Sequence, residues 1–120
     1  MTNKEYNLKK RTEKFGTSII LFVKSLPYNS INNPLISQLI RSSTSIGANY
    51  MEADSAESKK DFQHKIAICK KESSETIHWL NMVSVANPNF KDRISLLQKE
   101  VQELVLIFSS IIRSCNKVKS

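Results

Sequence analysis

Between positions 94 and 118, apolar residues return in alternating steps of three and four: Ile94, Leu97, Val101, Leu104, Phe108, Ile111, Cys115 and Val118. Residues three and four apart stack on the same side of a helix, so this set forms one continuous stripe. Its average step is that of a heptad seam, the spacing by which helices pack lengthwise in bundles and coiled coils. A stripe this long has to be covered by other helices that carry apolar stripes of their own.

The rest of the chain supplies them. A first segment, about 4–26, places Leu8, Phe15, Ile19, Phe22 and Leu26 on one stripe and Lys9, Lys10, Lys14 and Lys24 off it. The stretch PYNSINNP at 27–34 breaks the pattern with asparagines and prolines, and Pro34 is placed as the first residue of the second segment, 34–56. There Leu35, Ile36, Leu39, Ile40, Ile46, Tyr50 and Met51 span a broad apolar arc. Ser58 with Asp61 reads as an N-cap for the third segment, 59–85, whose stripe runs through Phe62, Ile66, Cys69, Ser73, Thr76, Leu80 and Val83. ANPNF at 86–90 is the second clear break, with Asn87 and Pro88 as cap and first turn of the last segment, 88–118. With 2 glycines and 3 prolines in 120 residues, turn chemistry for a many-stranded sheet is missing. The expectation is all-α: one domain, 1–120, folded as an up-down-up-down four-helix bundle.

Other classes are narrowed by composition. The run IILFV at 19–23 is far too short to span a membrane, and the basic N-terminal stretch lacks an apolar signal region. Cys69 and Cys115 fall inside helical patterns without metal-ligand spacing, as expected of reduced, core-filling thiols in a cytoplasmic protein. The net charge of +7 is spread over the chain ends and the second half, compatible either with an anionic partner such as RNA or with a lysine-rich solvated surface.

Two polar constellations stand out. Arg41, Ser45, Asn49 and Glu52 share one face of the second segment, roughly opposite the centre of its apolar arc. On the third segment, Ile68, Glu72, Glu75, Trp79 and Met82 form a strip beside the core stripe, and Lys60, His64, Lys71 and His78 form another. A di-iron bundle needs paired Glu-x-x-His motifs projecting inward, whereas ETIH at 75–78 occurs once and off the core stripe. No Ser-His-Asp or Cys-His set has useful spacing, and no glycine-rich phosphate loop is present. The reading is therefore non-enzymatic, with no cofactor and no metal.

The motif RSSTSIGANYMEA at 41–53, followed by SKKDFQHKIAICKKESSETIHWL at 58–80, resembles the bacterial family of four-helix bundles encoded in intervening sequences of 23S ribosomal RNA genes. It is also similar to the accessory variability determinant of diversity-generating retroelements. The matching residues are Arg41, Ser45, Asn49, Glu52, Phe62, Lys71, Glu72, Ser73, Glu75, Thr76, Trp79 and Leu80; Ala53 departs, since many members carry glycine there. The resemblance implies a homo-oligomer, a ring-like pentamer. For the retroelement relatives it implies binding to nucleic acid and to a reverse transcriptase; for ordinary members it implies no established activity. On this reading Arg41, Ser45, Asn49, Glu52, Glu72, Glu75 and Trp79 are structural contacts within or between subunits, with Arg41 expected to pair with Glu72 or Glu75 first and Glu52 second. Two functions stay open. One is an oligomeric scaffold holding RNA or DNA, without sequence preference, on Lys9, Lys10, Arg11, Lys14, Lys60, Lys70, Lys71, Lys99, Arg113, Lys117 and Lys119. The other is a protein-interaction module whose charge serves solubility. No platform of aromatics for base stacking is visible.

Overall fold

The computed structural model describes residues 7–119, with side chains through Asn116. Helices α1 (Leu8–Val23), α2 (Asn32–Asp54), α3 (Lys59–Ala86) and α4 (Lys91–Lys119) follow one another, with a single 3-10 turn, Pro88–Phe90, ahead of α4. Each helix packs on its sequence neighbours and α4 returns to α1, which closes an elongated four-helix bundle of 49 × 23 × 22 Å.

Local chemistry sets the helix ends. Asn7 caps α1 by accepting from the Lys10 amide. The helix stops at Val23, three residues earlier than the apolar stripe implies. Leu26 precedes Pro27, which disfavours helical backbone there, yet Leu26 stays buried through a turn in which its amide donates to Val23 O. The next helix begins at Asn32 rather than Pro34, because Asn29 Oδ1 accepts from the amides of both Ile31 and Asn32. Pro34 sits in the first turn, where its missing donor is harmless. Residues 55–58 form the turn between α2 and α3, and α2 ends at Asp54 rather than Ala56. Ser58 Oγ accepts from the Asp61 amide at 3.0 Å and starts α3. Pro88 heads the 3-10 turn instead of α4 itself.

One core runs the length of the bundle. Ile19, Leu39, Ile46, Ile66, Leu80, Ile94, Val101, Leu104 and Phe108 are all fully excluded from water. Along α3 the stripe includes small polar residues, and their hydroxyls are satisfied: Thr76 Oγ1 donates to Ser42 Oγ at 2.8 Å, and Ser73 Oγ donates to Cys69 O at 2.8 Å. The apolar arc of α2 is narrower than its sequence indicates, since Met51 is 48 % exposed.

At the end holding the α1–α2 and α3–α4 connections, Asn32 and Asn87 form a reciprocal amide pair. Each Nδ2 donates to the other's Oδ1 at 2.9 Å, and their second donors reach Pro27 O and Val83 O. Both residues are buried, so the pair is saturated and dry.

Phe108→Ala should cost about 3–5 kcal/mol, the range for deleting a fully buried aromatic side chain. Denaturant unfolding of the variant checks this; a loss under about 1 kcal/mol would mean Phe108 is not the core anchor of α4.

Candidate functional site: a polar seam and an unpaired basic surface

Helices α2 and α3 run antiparallel, and the polar row of α2 meets the carboxylate strip of α3 along their shared edge. Arg41 is the hub. Its Nη1 donates to Glu72 Oε1 at 3.2 Å, its Nη2 donates to Glu75 Oε2, and its Nε donates to Gln38 Oε1 at 3.1 Å. Trp79 Nε1 donates to the same Glu75 oxygen at 3.0 Å, so one carboxylate orients both a guanidinium and a half-buried indole. Glu72 is nearly buried, whereas Arg41 keeps 46 % of its side chain in solvent. The pair therefore spans the boundary between core and water.

Further along the edge, the other members of the row act separately. Asn49 Nδ2 donates to Ser45 Oγ and to Ser45 O, both at 2.9 Å. Glu52 pairs with Lys65 at 2.6 Å instead of with Arg41. The reason is register: Glu52 lies beyond Cys69, whose thiol touches Ile46 O, and there α3 presents Lys65. The hydrogen bond from Lys65 to Glu52 raises the lysine above its ordinary range. Each of Arg41, Ser45, Asn49, Glu52, Glu72, Glu75 and Trp79 thus has at least one polar partner within its own chain.

Chemically, the seam is a closed set of donors and acceptors. Its three carboxylates are held by cations, and Glu75 of the ETIH stretch is spent on Arg41 and Trp79. His64 and His78 are exposed, and His78 sets its ring edge-on to the Trp79 indole at 4.8 Å. No group of three potential metal ligands comes together among the described residues. Cys69 is sealed in the core, and burial pushes its thiol up to about 12.

The cationic candidates divide. Lys9, Lys10, Lys14, Lys60, Lys71, Lys99 and Arg113 are exposed, Lys70 is half-buried, and none of these eight reaches a carboxylate within the described residues. The side chains of Lys117 and Lys119 lie outside the described residues. Arg11 does not belong with the free cations. Its Nε lies 2.7 Å from Glu100 Oε2 and its Nη2 lies 2.6 Å from Glu103 Oε1, a double ion pair tying α1 to α4. Those bonds, Glu100 first, hold its proton more firmly than usual, and they commit Nε and Nη2 to carboxylates, so that only Nη1 is without a carboxylate partner. The Glu100–Glu103 spacing is legible as one helix face, but nothing in sequence connects it to a residue 89 positions earlier. The Asn32–Asn87 and Ser42–Thr76 pairs escape sequence reading for the same reason; the only hint is that both Asn-Pro loops carry asparagines.

These features define a class of protein: a short helical bundle stitched by internal ion pairs, with its excess cations turned outward. The match to the family model described as 23S rRNA-intervening sequence protein spans residues 4–110, and the chain belongs to that family. Among solved structures, it is similar to a protein of unknown function from the S23 ribosomal protein family of Bacteroides thetaiotaomicron VPI-5482. The two share 30% identity and a TM-score of 0.76 over 87% of this chain and 96% of the other. Among curated proteins, none matches. No helix among the described residues is long and apolar enough to cross a membrane.

Two outcomes follow. Arg41→Ala and Glu75→Ala should be non-additive in unfolding free energy, with a coupling of about 0.5–3 kcal/mol, because each removes the other's partner. Additive values in a double-mutant cycle would show the two to be independent. Stability should also sag in alkali. The ordinary cysteine value of 9.0 lies below the folded value of about 12, so above pH 9 the unfolded chain loses a proton that the folded one keeps, and the folded state falls in relative stability. The slope contributed is at most about 1.4 kcal/mol per pH unit. Urea unfolding between pH 8 and pH 11 should show it in the parent chain and lack it in Cys69→Ala.

Proposed function

We propose that the protein is a non-enzymatic scaffold that holds RNA or DNA by its phosphate backbone, without reading sequence. One observation carries this reading: the internal ion pairs use carboxylates faster than cations. Arg11, Arg41 and Lys65 together engage Glu52, Glu72, Glu75, Glu100 and Glu103. These eight residues sum to −2, so the rest of a chain of net charge +7 carries +9. Folding therefore concentrates positive charge on the groups left free to meet a partner, and a polyanion is the natural counterpart.

The free cations lie on the outer faces of α1, α3 and α4 rather than in a single cleft. Such a distribution favours a weak contact per copy strengthened by repetition, as in a ring of copies; a homopentamer is the assembly proposed. Between α1 and α2, an apolar groove runs past Gly16 and Gly47, with Ile20 and Met51 exposed beside it, and this is the surface offered to a neighbouring copy.

Affinity for a structured RNA and for an unrelated DNA duplex should be comparable at low salt and fall steeply with added salt. Lys10→Glu with Lys14→Glu, and separately Lys60→Glu with Lys71→Glu, should weaken binding to both and flatten the logarithmic salt slope by about 1 for each phosphate no longer engaged. Arg11 is excluded from the series because its loss opens the α1–α4 pairing. Absence of binding to either nucleic acid at low salt, with the assembly intact by light scattering, would leave the protein-interaction reading in its place.

A further inference from the structure

The contact between α1 and α4 is the thinnest in the bundle. A groove of about 640 Å³ opens along it, with Phe15 and Leu97 as its floor, Lys14, Ser18 and Leu96 on its rims, and the Arg11–Glu100 pair across one end. Leu96 is 71 % exposed, and Leu21, one turn beyond Ser18 on the same face of α1, is 59 % exposed. At the other end, the Arg93 guanidinium covers the Phe22 ring 5.2 Å from its centroid and donates to Ser25 Oγ. The groove is thus an apolar trough with polar stops, and two leucines on its rims face water.

We propose that this groove docks an amphipathic helix from another protein, one whose apolar stripe is flanked by carboxylates. Shape argues for a helix. Apolar positions at helical spacing fill a trough between two parallel ridges, and the run from Phe15 to Phe22 is about 10 Å, room for roughly two turns. Charge selects the flanks. Lys10 and Lys14 extend the α1 rim and Lys99 follows Leu96 on α4; among the described residues of these two helices the unpaired carboxylates are Asp92 and Glu13, the latter on the side of α1 that lines the groove toward α2, since Glu100 and Glu103 are occupied by Arg11. A second copy of this chain is the poorer occupant, because it brings the same surplus of unpaired cations to a rim that is already cationic. The inference is separate from nucleic-acid binding and survives its failure.

The probe is a fluorescein-labelled synthetic peptide with leucines at helical spacing and glutamates on both flanks. It is compared with a scrambled peptide of the same composition and with one carrying lysine for glutamate. Fluorescence anisotropy should show the acidic helix binding about tenfold or more tightly than either control. Amide shifts in the labelled protein should localise to α1 and α4. Leu96→Glu should abolish binding and Lys14→Glu should weaken it. Val85→Glu, the same change of character at a residue 78 % exposed on α3, should leave binding unchanged. Three results would overturn the proposal: equal binding of the controls, no binding by a protein whose helicity is intact, or a fall in assembly mass for Leu96→Glu, which would place a second copy in the groove. RNA affinity read on Leu96→Ser, which changes no charge, keeps the two questions apart: peptide binding should fall while RNA affinity stays unchanged.

Discussion

The apolar stripe of α4 determines where the other helices stand. Ile94, Val101, Leu104 and Phe108 are wholly removed from water, which requires cover along the full length of the stripe. Against it, α3 supplies Ile66, Leu80 and Val83, while α1 supplies Phe15 and Phe22, the latter meeting Phe90 edge-on at 6.1 Å. The remaining helix then completes the ring, with Tyr50 tilted over Phe108. Hydrophobic burial sets this arrangement but is non-directional, so polar contacts have to fix the register. Along α2 and α3 they do so at Arg41 with Glu72 and Glu75, at Ser42 with Thr76, and at Glu52 with Lys65.

The polar pairs also shape the electrostatics. A guanidinium that serves two carboxylates is efficient for positioning, since one planar fork fixes two partners. Arg11 and Arg41 both work this way, one across α1 and α4, the other across α2 and α3. Structure and surface potential are therefore coupled. Each two-for-one pair that stabilises the bundle also withdraws a net negative charge from the set of groups free to meet a partner.

Much of the fold was legible because it rests on periodicity. The stripe of α1, with Leu8, Phe15, Ile19, Phe22 and Leu26, is buried in full, and Ser58 caps α3 as its spacing with Asp61 implies. Family membership was readable from the Arg41-to-Leu80 motif. Less was legible wherever distant segments meet. Arg11 looks like one more lysine-type surface cation until α4 places two carboxylates against it. Glu52 looks like a partner for Arg41 on its own face, but the antiparallel register supplies Lys65. Met51 belongs to the apolar arc by helical angle, yet that side of α2 opens onto the groove beside α1. In each case the deciding quantity is the relative placement of two helices, which a one-dimensional pattern does not contain.

The saturated Asn32–Asn87 pair gives the bundle a polarity in its motions. It joins the start of α2 to the end of α3 through two reciprocal buried hydrogen bonds, while the second donors hold Pro27 O in one connecting loop and Val83 O in α3, and so ties both connecting loops at one end into a single unit. The opposite end has the short turn between α2 and α3, with no such cross-link among the described residues. Local opening should therefore spread from the Asp54–Lys59 turn toward the asparagine clamp. Amide protons near Val83 and Asn87 should exchange later than those around Ser55, which native-state hydrogen exchange would read directly. The bundle behaves like a clothes-peg sprung at the asparagine end, its other end free to part by small amounts without loss of register.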